Sequence, residues 1–117
     1  MDRRRYMKQT PDVSTHAQEA ISILGEMIRA ARMQRGMTAA ELATRTNVSR
    51  GVIQRIEAGE PGTSIGAAFE AAVVLGIPLF DVPTGTLGTL LKHKQEINAL
   101  LPQRAFQASQ GKPQNDF

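Results

Sequence analysis

The chain has 117 residues, enough for one compact domain with extensions and too few for a second sizeable core. It has no cysteine, which excludes a disulfide framework and a thiolate zinc site and makes a reducing cytoplasm the expected compartment. Its net charge of +3 is modest but segregated: Arg29, Arg32, Arg35, Arg45, Arg50 and Arg55 face the single acid Glu41, a local balance of +5, whereas from Ile56 onward four bases stand against six acids.

A basic zone followed by an acidic stretch suits a polyanionic partner, although a solvated surface has the same composition. Apolar residues recur at helical rather than alternating spacing, so an all-α fold is expected. Met1 leads into Asp2, Arg3, Arg4 and Arg5 with no apolar stretch behind them, and no segment approaches bilayer-spanning length, so no membrane is expected as a partner.

Residues 1–15 are polar and basic, with Pro11 and no apolar periodicity, and read as a flexible arm. The first helix is expected from about Ala17, with Ile21, Leu24, Ile28 and Ala31 on one face and Gly36 as its end. Thr38-Ala39-Ala40-Glu41 spells a capping box, in which the threonine hydroxyl accepts from the Glu41 amide and the glutamate reaches back. A second helix is therefore expected from Ala39 to about Thr46, with Asn47 suited to a left-handed end and Ser49 suited to capping the next helix.

The third helix is expected from Arg50 to about Ala58, burying Ile53 and Ile56 and terminating at Gly59. Glu60-Pro61-Gly62 is a loop, after which Ser64 caps a fourth helix with the stripe Ile65, Ala68, Phe69, Ala72 and Val73, closed by Gly76. Pro78 suits the first position of a short fifth helix carrying Leu79 and Phe80. Beyond a break at Thr84-Gly85-Thr86, Leu87, Leu90, Leu91, Ile97, Leu100 and Leu101 indicate a further helix stopped by Pro102. Residues 103–117 are too poor in apolar side chains to fold alone and read as a disordered tail.

Two short helices joined by a tight turn, the first capped and the second bearing arginines, are the arrangement that presents a helix to the major groove. Ala43 is small where the two would approach, and Leu42, Val48, Ile53 and Ile56 supply the shared core. Three stretches, Ile28-Arg29-Ala30-Ala31-Arg32, Thr38-Ala39-Ala40-Glu41-Leu42-Ala43 and Ile56-Glu57-Ala58-Gly59, carry a resemblance to the lambda-repressor-like helix-turn-helix family over Leu24 to Leu75. The resemblance implies a five-helix DNA-binding domain over residues 16–83 and double-stranded DNA as partner; the additional C-terminal helix over 84–102, read from its leucine spacing, is the candidate dimer contact. It also implies that Arg32 and Glu57 form a fold-holding ion pair rather than a DNA contact.

Carried over residue by residue, the DNA surface is Arg50, Gly51 and Arg55 on the third helix, with Ser49 at its start near phosphate. Arg50 is the expected base reader, because a guanidinium donates two parallel bonds to guanine O6 and N7. Gly51 lets the backbone approach closely and weakens its helix. Thr38 and Ala39 would offer a hydroxyl and backbone amides to phosphate, and Thr63 and Ser64 would do likewise. Arg45 touches phosphate or solubilises its helix, and Arg3, Arg4, Arg5 and Lys8 form a minor-groove arm or a solvated terminus. Two positions depart from the common motif: Thr46, where an apolar residue is usual, which weakens the local core, and Asn47, where glycine is usual.

Within the family, Leu24 to Ile77, and above all Glu57 to Ser64, looks most like HipB-type antitoxin repressors encoded beside HipA-type kinase toxins. The stretch Leu101-Pro102-Gln103-Arg104 and the ending Asp116-Phe117 resemble those antitoxins too, with fewer bases. The expected function is thus a repressor binding a palindromic operator as a homodimer, with a HipA-type kinase toxin as a further partner. The alternatives are a prophage or stand-alone regulator and a helical adaptor that reads no bases.

His16 and His93 are isolated and lack a carboxylate or cysteine companion at metal-ligand spacing, so they read as surface histidines, and no metal or cofactor is expected. Met27, Met33 and Met37 read as packing residues. With no nucleophile beside a base and no phosphate loop, the expectation is a protein that is not an enzyme.

Overall fold

The computed structural model describes residues 13–102, so the expected tail at 103–117 and all but the last residues of the expected arm at 1–15 lie outside them. Its helices are α1 (Thr15–Gln34), α2 (Ala39–Thr46), α3 (Arg50–Glu57), α4 (Ile65–Val74) and α5 (Leu87–Ala99), and the described residues form no β-strand. The chain divides into two compact units at Thr84. The first holds α1 to α4, in which α2 packs on α3 and α4, α1 on α3, and α3 on α4.

Local chemistry sets the helix ends. Ser14 starts α1 two residues earlier than the apolar spacing indicates, because its hydroxyl accepts from the Ala17 amide at 3.2 Å. The Thr38–Glu41 capping box is complete: the Glu41 amide donates to Thr38 Oγ1 at 3.0 Å and the Thr38 amide donates to Glu41 Oε1 at 2.8 Å. Ser49 and Ser64 cap α3 and α4 through the amides of Val52 and Ala67. α1 ends in a pair of reversed bonds, Gly36 N–H to Met33 O and Met37 N–H to Arg32 O, around a left-handed Gly36. α2 ends the same way around Asn47, whose φ of 58° a short polar side chain tolerates, so no glycine is needed there.

Ile28, Leu42, Ile53, Ile56 and Leu75 form the buried core with Ala43, Ala68, Ala71, Ala72 and Ile77. Three details differ from the sequence reading. In α4 the buried face is Ala68, Ala71 and Ala72, while Ile65 is 70% exposed and Phe69 and Val73 are half-buried. Small side chains let α4 lie close to its neighbours; Phe69 instead meets Phe80 edge to face at 6.1 Å. The short helix expected at Pro78 is replaced by a turn in which Val82 N–H donates to Leu79 O and both central residues, Phe80 and Asp81, are left-handed. Pro83 pushes Val82 out of the α region, and a stretch bounded by Pro78 and Pro83 is too short for a helix. Finally, Met27 and Met33 are exposed, and among the three methionines read as packing residues only Met37 is half-buried against the core.

Thr46 is buried, yet its hydroxyl donates to Leu42 O at 2.8 Å and stands 3.3 Å from Ala43 O. Back-bonding of this kind satisfies the polar group and removes most of the expected cost.

The second unit contains α5, which buries none of its residues. Leu87, Leu90, Leu91 and Ile97 share one side of it by helical spacing, and Leu100 and Leu101 follow the helix rather than ending it.

Candidate nucleic-acid interface

Helical phase divides α3 cleanly. Ile53 and Ile56 point inward with Val52 and Glu57 beside them, and the outward arc carries Arg50, Gly51, Gln54, Arg55 and Ala58. Arg50 and Arg55 are exposed, and neither makes an ion pair among the described residues. A helical side chain leans toward its own N-terminus, which carries Arg55 back over Gly51: Nη1 stands 3.5 Å from the point a Cβ on Gly51 would occupy, and Ser49 Oγ stands 3.8 Å from it. Ser49, Gly51 and Arg55 are thus brought together next to Arg50. The positive guanidinium sits near the positive end of the helix dipole and, among the described residues, pairs with no carboxylate, an arrangement that an incoming anion relieves.

Gln54 was missed by sequence reasoning. It lies one turn after Arg50 on the exposed side, and its amide has the donor and acceptor pair that matches adenine N6 and N7. Counting phase outward from Ile53 and Ile56 reveals it; attention to charge alone does not. It borders a hollow shared with Glu26, Arg29, Glu57 and Ala58, which places Arg29, also exposed, at the edge of the same surface.

The remaining expected contacts start the helices that pack on α3. Thr38 and Ala39 open α2, but the Thr38 amide is already bonded to Glu41, leaving its hydroxyl proton and the unbonded first-turn amides of the helix as donors. Ser64 opens α4 with its oxygen accepting from Ala67. Thr63 differs from expectation: its hydroxyl donates to Glu60 O at 2.9 Å, so that proton is engaged within the loop. Arg45 is exposed at the last turn of α2 and makes no ion pair among the described residues.

The scaffold beneath is rigid. Arg32 grips Glu57 through Nε to Oε2 at 2.7 Å and Nη2 to Oε1 at 2.9 Å, while Nη1 donates to Met37 O at 2.8 Å. Their side chains are only 13% and 8% exposed, and the hydrogen bond and charge of Glu57 hold the guanidinium above its ordinary pKa against the opposing effect of burial. Gly25 brings α1 and α3 together: a Cβ there would overlap the Ile56 carbonyl oxygen and lie 2.9 Å from that of Glu57. Gln18 Nε2 donates to Gly59 O at 2.7 Å, tying α1 to the residue that follows α3. With its C-terminal end held at four points, the α3 face is presented as a fixed surface.

His16, read as having no carboxylate companion, lies 3.0 Å from Glu19 Oε1 on the first turn of α1, an exposed i, i+3 pair. Among the described residues no group of three His, Asp or Glu side chains is placed to hold a metal ion. A shallow hollow of about 800 Å3 beside α1 is lined in part by Ser22, whose hydroxyl oxygen accepts from Gln18. No described helix is long and apolar enough to cross a membrane.

A capped helix, a tight left-handed turn and a second helix with an exposed basic outer face are the arrangement of a helix-turn-helix unit. Comparison with protein families agrees: residues 28–82, just under half of the chain, match the family model described as Helix-turn-helix. The described residues therefore have an all-α fold of the lambda-repressor-like kind, and residues 28–82 are similar to the helix-turn-helix domains of DNA-binding transcriptional regulators. No curated protein and no solved structure matches it.

Proposed function

We propose that the protein is a transcriptional repressor that binds a palindromic operator in the cytoplasm as a homodimer, reading each half-site with Arg50, Gly51, Gln54 and Arg55. The observation that carries this reading is the pair of exposed arginines, without an ion pair among the described residues, on the outward face of a helix tied at its far end by Arg32 and Glu57. Ser49, Thr38, Ala39 and Ser64, with Thr63 beside them, lie at helix starts, where phosphate contacts fix register without reading sequence. The apolar side of α5 is the proposed contact between copies.

Selection of bound sites from random duplexes tests the reading. A half-site repeated as an inverted pair is the expected product, with affinity falling steeply as salt rises. Arg50→Ala should then lose preference for the selected site by roughly 10- to 100-fold, the worth of one bidentate pair, while nonspecific binding changes far less. Retention of all duplexes alike by the parent protein would remove sequence reading and favour a helical adaptor.

The resemblance to HipB-type antitoxins extends the proposal to a second partner, a HipA-type kinase toxin. Copurification of such a kinase with the full chain, when both are expressed from neighbouring genes, is the supporting outcome; a gene with no kinase neighbour favours a stand-alone or prophage regulator.

A further inference from the structure

Among the described residues nothing requires glycine at position 51. It is the second residue of α3 and has ordinary helical backbone, with a φ outside the left-handed region. A Cβ there would meet only the far end of Arg55 at 3.5 Å and Ser49 Oγ at 3.8 Å, both ordinary contact distances. Gly25 shows the opposite case, since backbone oxygens of α3 forbid a side chain there. The fold would therefore accept alanine at 51 and gain helix propensity from it. What the bare Cα leaves is a methyl-sized hollow on the outward face, open to whatever approaches α3 from solvent.

In the major groove, the apolar protrusion that fits such a hollow is the C5 methyl of thymine. Because the Arg55 guanidinium forms one wall of the hollow, the base it reads lies next to that thymine. We propose that Gly51 is a socket for the C5 methyl of a thymine adjacent to the guanine bonded by Arg55, so that specificity at one base is set by an absent side chain. This inference rests on the DNA-reading function proposed above.

The test exchanges one methyl between protein and DNA. Deoxyuridine in place of the selected thymine should weaken binding by the parent protein about fourfold, the worth of one buried methyl-sized group. Gly51→Ala should unfold at the same temperature as the parent or higher, yet bind the thymine operator about tenfold more weakly through overpacking. On the deoxyuridine operator the same variant should bind within about twofold of the parent, its own methyl filling the space. Undiminished binding of the thymine operator by Gly51→Ala overturns the socket, as does indifference of the parent to deoxyuridine at every thymine of the half-site. If Arg50→Ala loses selectivity while Gly51→Ala keeps it, the socket alone fails. A parent protein that selects no sequence refutes the DNA reading and the socket together.

Discussion

Arg32 is the residue on which the presentation of α3 depends most. Its guanidinium makes three hydrogen bonds, two to Glu57 and one to Met37 O, so the planar fork satisfies a nearly buried carboxylate and a carbonyl of the α1–α2 loop together. Removing it by Arg32→Ala strands the Glu57 carboxylate at 8% exposure, and a stranded, nearly buried charge costs about 3 kcal/mol. Against a total of roughly 5 to 15 kcal/mol for a small domain, that is a large share. Arg32→Lys should recover less than half of the loss, because a compact ammonium cannot reach both carboxylate oxygens and Met37 O from one position. Urea denaturation followed by helical circular dichroism measures both, and a midpoint for Arg32→Ala equal to that of the parent would show the pair to be inert.

Among the elements, the α1–α3 crossing shows how packing outweighs propensity. Alanine at Gly25 would favour helix by about 1 kcal/mol. Its Cβ, however, would meet two backbone oxygens of α3, which cannot swing aside as a flexible side chain does. The expected net result for Gly25→Ala is a loss of about 2 kcal/mol, from overpacking that exceeds the propensity gain. A thermal midpoint at or above the parent's would mean that α1 slides to make room. The same crossing marks where sequence reading stops. Helix starts at Ala39, Arg50 and Ile65 were legible because each follows a Thr or Ser whose hydroxyl has one local task. The close approach at Gly25 was not, because it depends on which helix arrives from elsewhere in the chain. The α4 face was read too broadly for a related reason: Ile65 and Phe69 have the right spacing, but neighbouring helices came close enough to take only the alanines. The turn at Phe80 and Asp81 was readable in part, since Pro83 restricts the residue before it, yet left-handed Phe80 runs against local preference and is held by its edge contact with Phe69. In the site, Arg50 and Arg55 stood out by charge, the Arg32–Glu57 pair came from family resemblance, and Gln54 required the phase of the buried residues.

At the scale of the whole molecule, specificity sets a requirement that one copy of α3 meets only with three near-ideal contacts. Each bidentate base contact discriminates by roughly 1 to 3 kcal/mol, whereas separating an operator from bulk genome takes about 4 to 10 kcal/mol. Arg50, Arg55 and Gln54 on an eight-residue helix would supply about 3 to 9 kcal/mol, which covers that range only if every contact is near its best, and two half-sites about 34 Å apart double it. The second copy needs an apolar contact that the reading domain does not use. The α1–α4 core draws no buried residue from beyond Ile77, while α5 keeps Leu91 and Ile97 exposed on one side. The double variant Leu91→Glu with Ile97→Glu should therefore leave the melting of the α1–α4 domain unchanged and sediment as a monomer at micromolar concentration. Its operator affinity should fall about 100-fold or more as the linked second half-site is lost, with binding to an isolated half-site retained. A variant that still sediments as a dimer would move the contact off α5, and one that loses half-site binding as well would show that α5 also supports the reading surface.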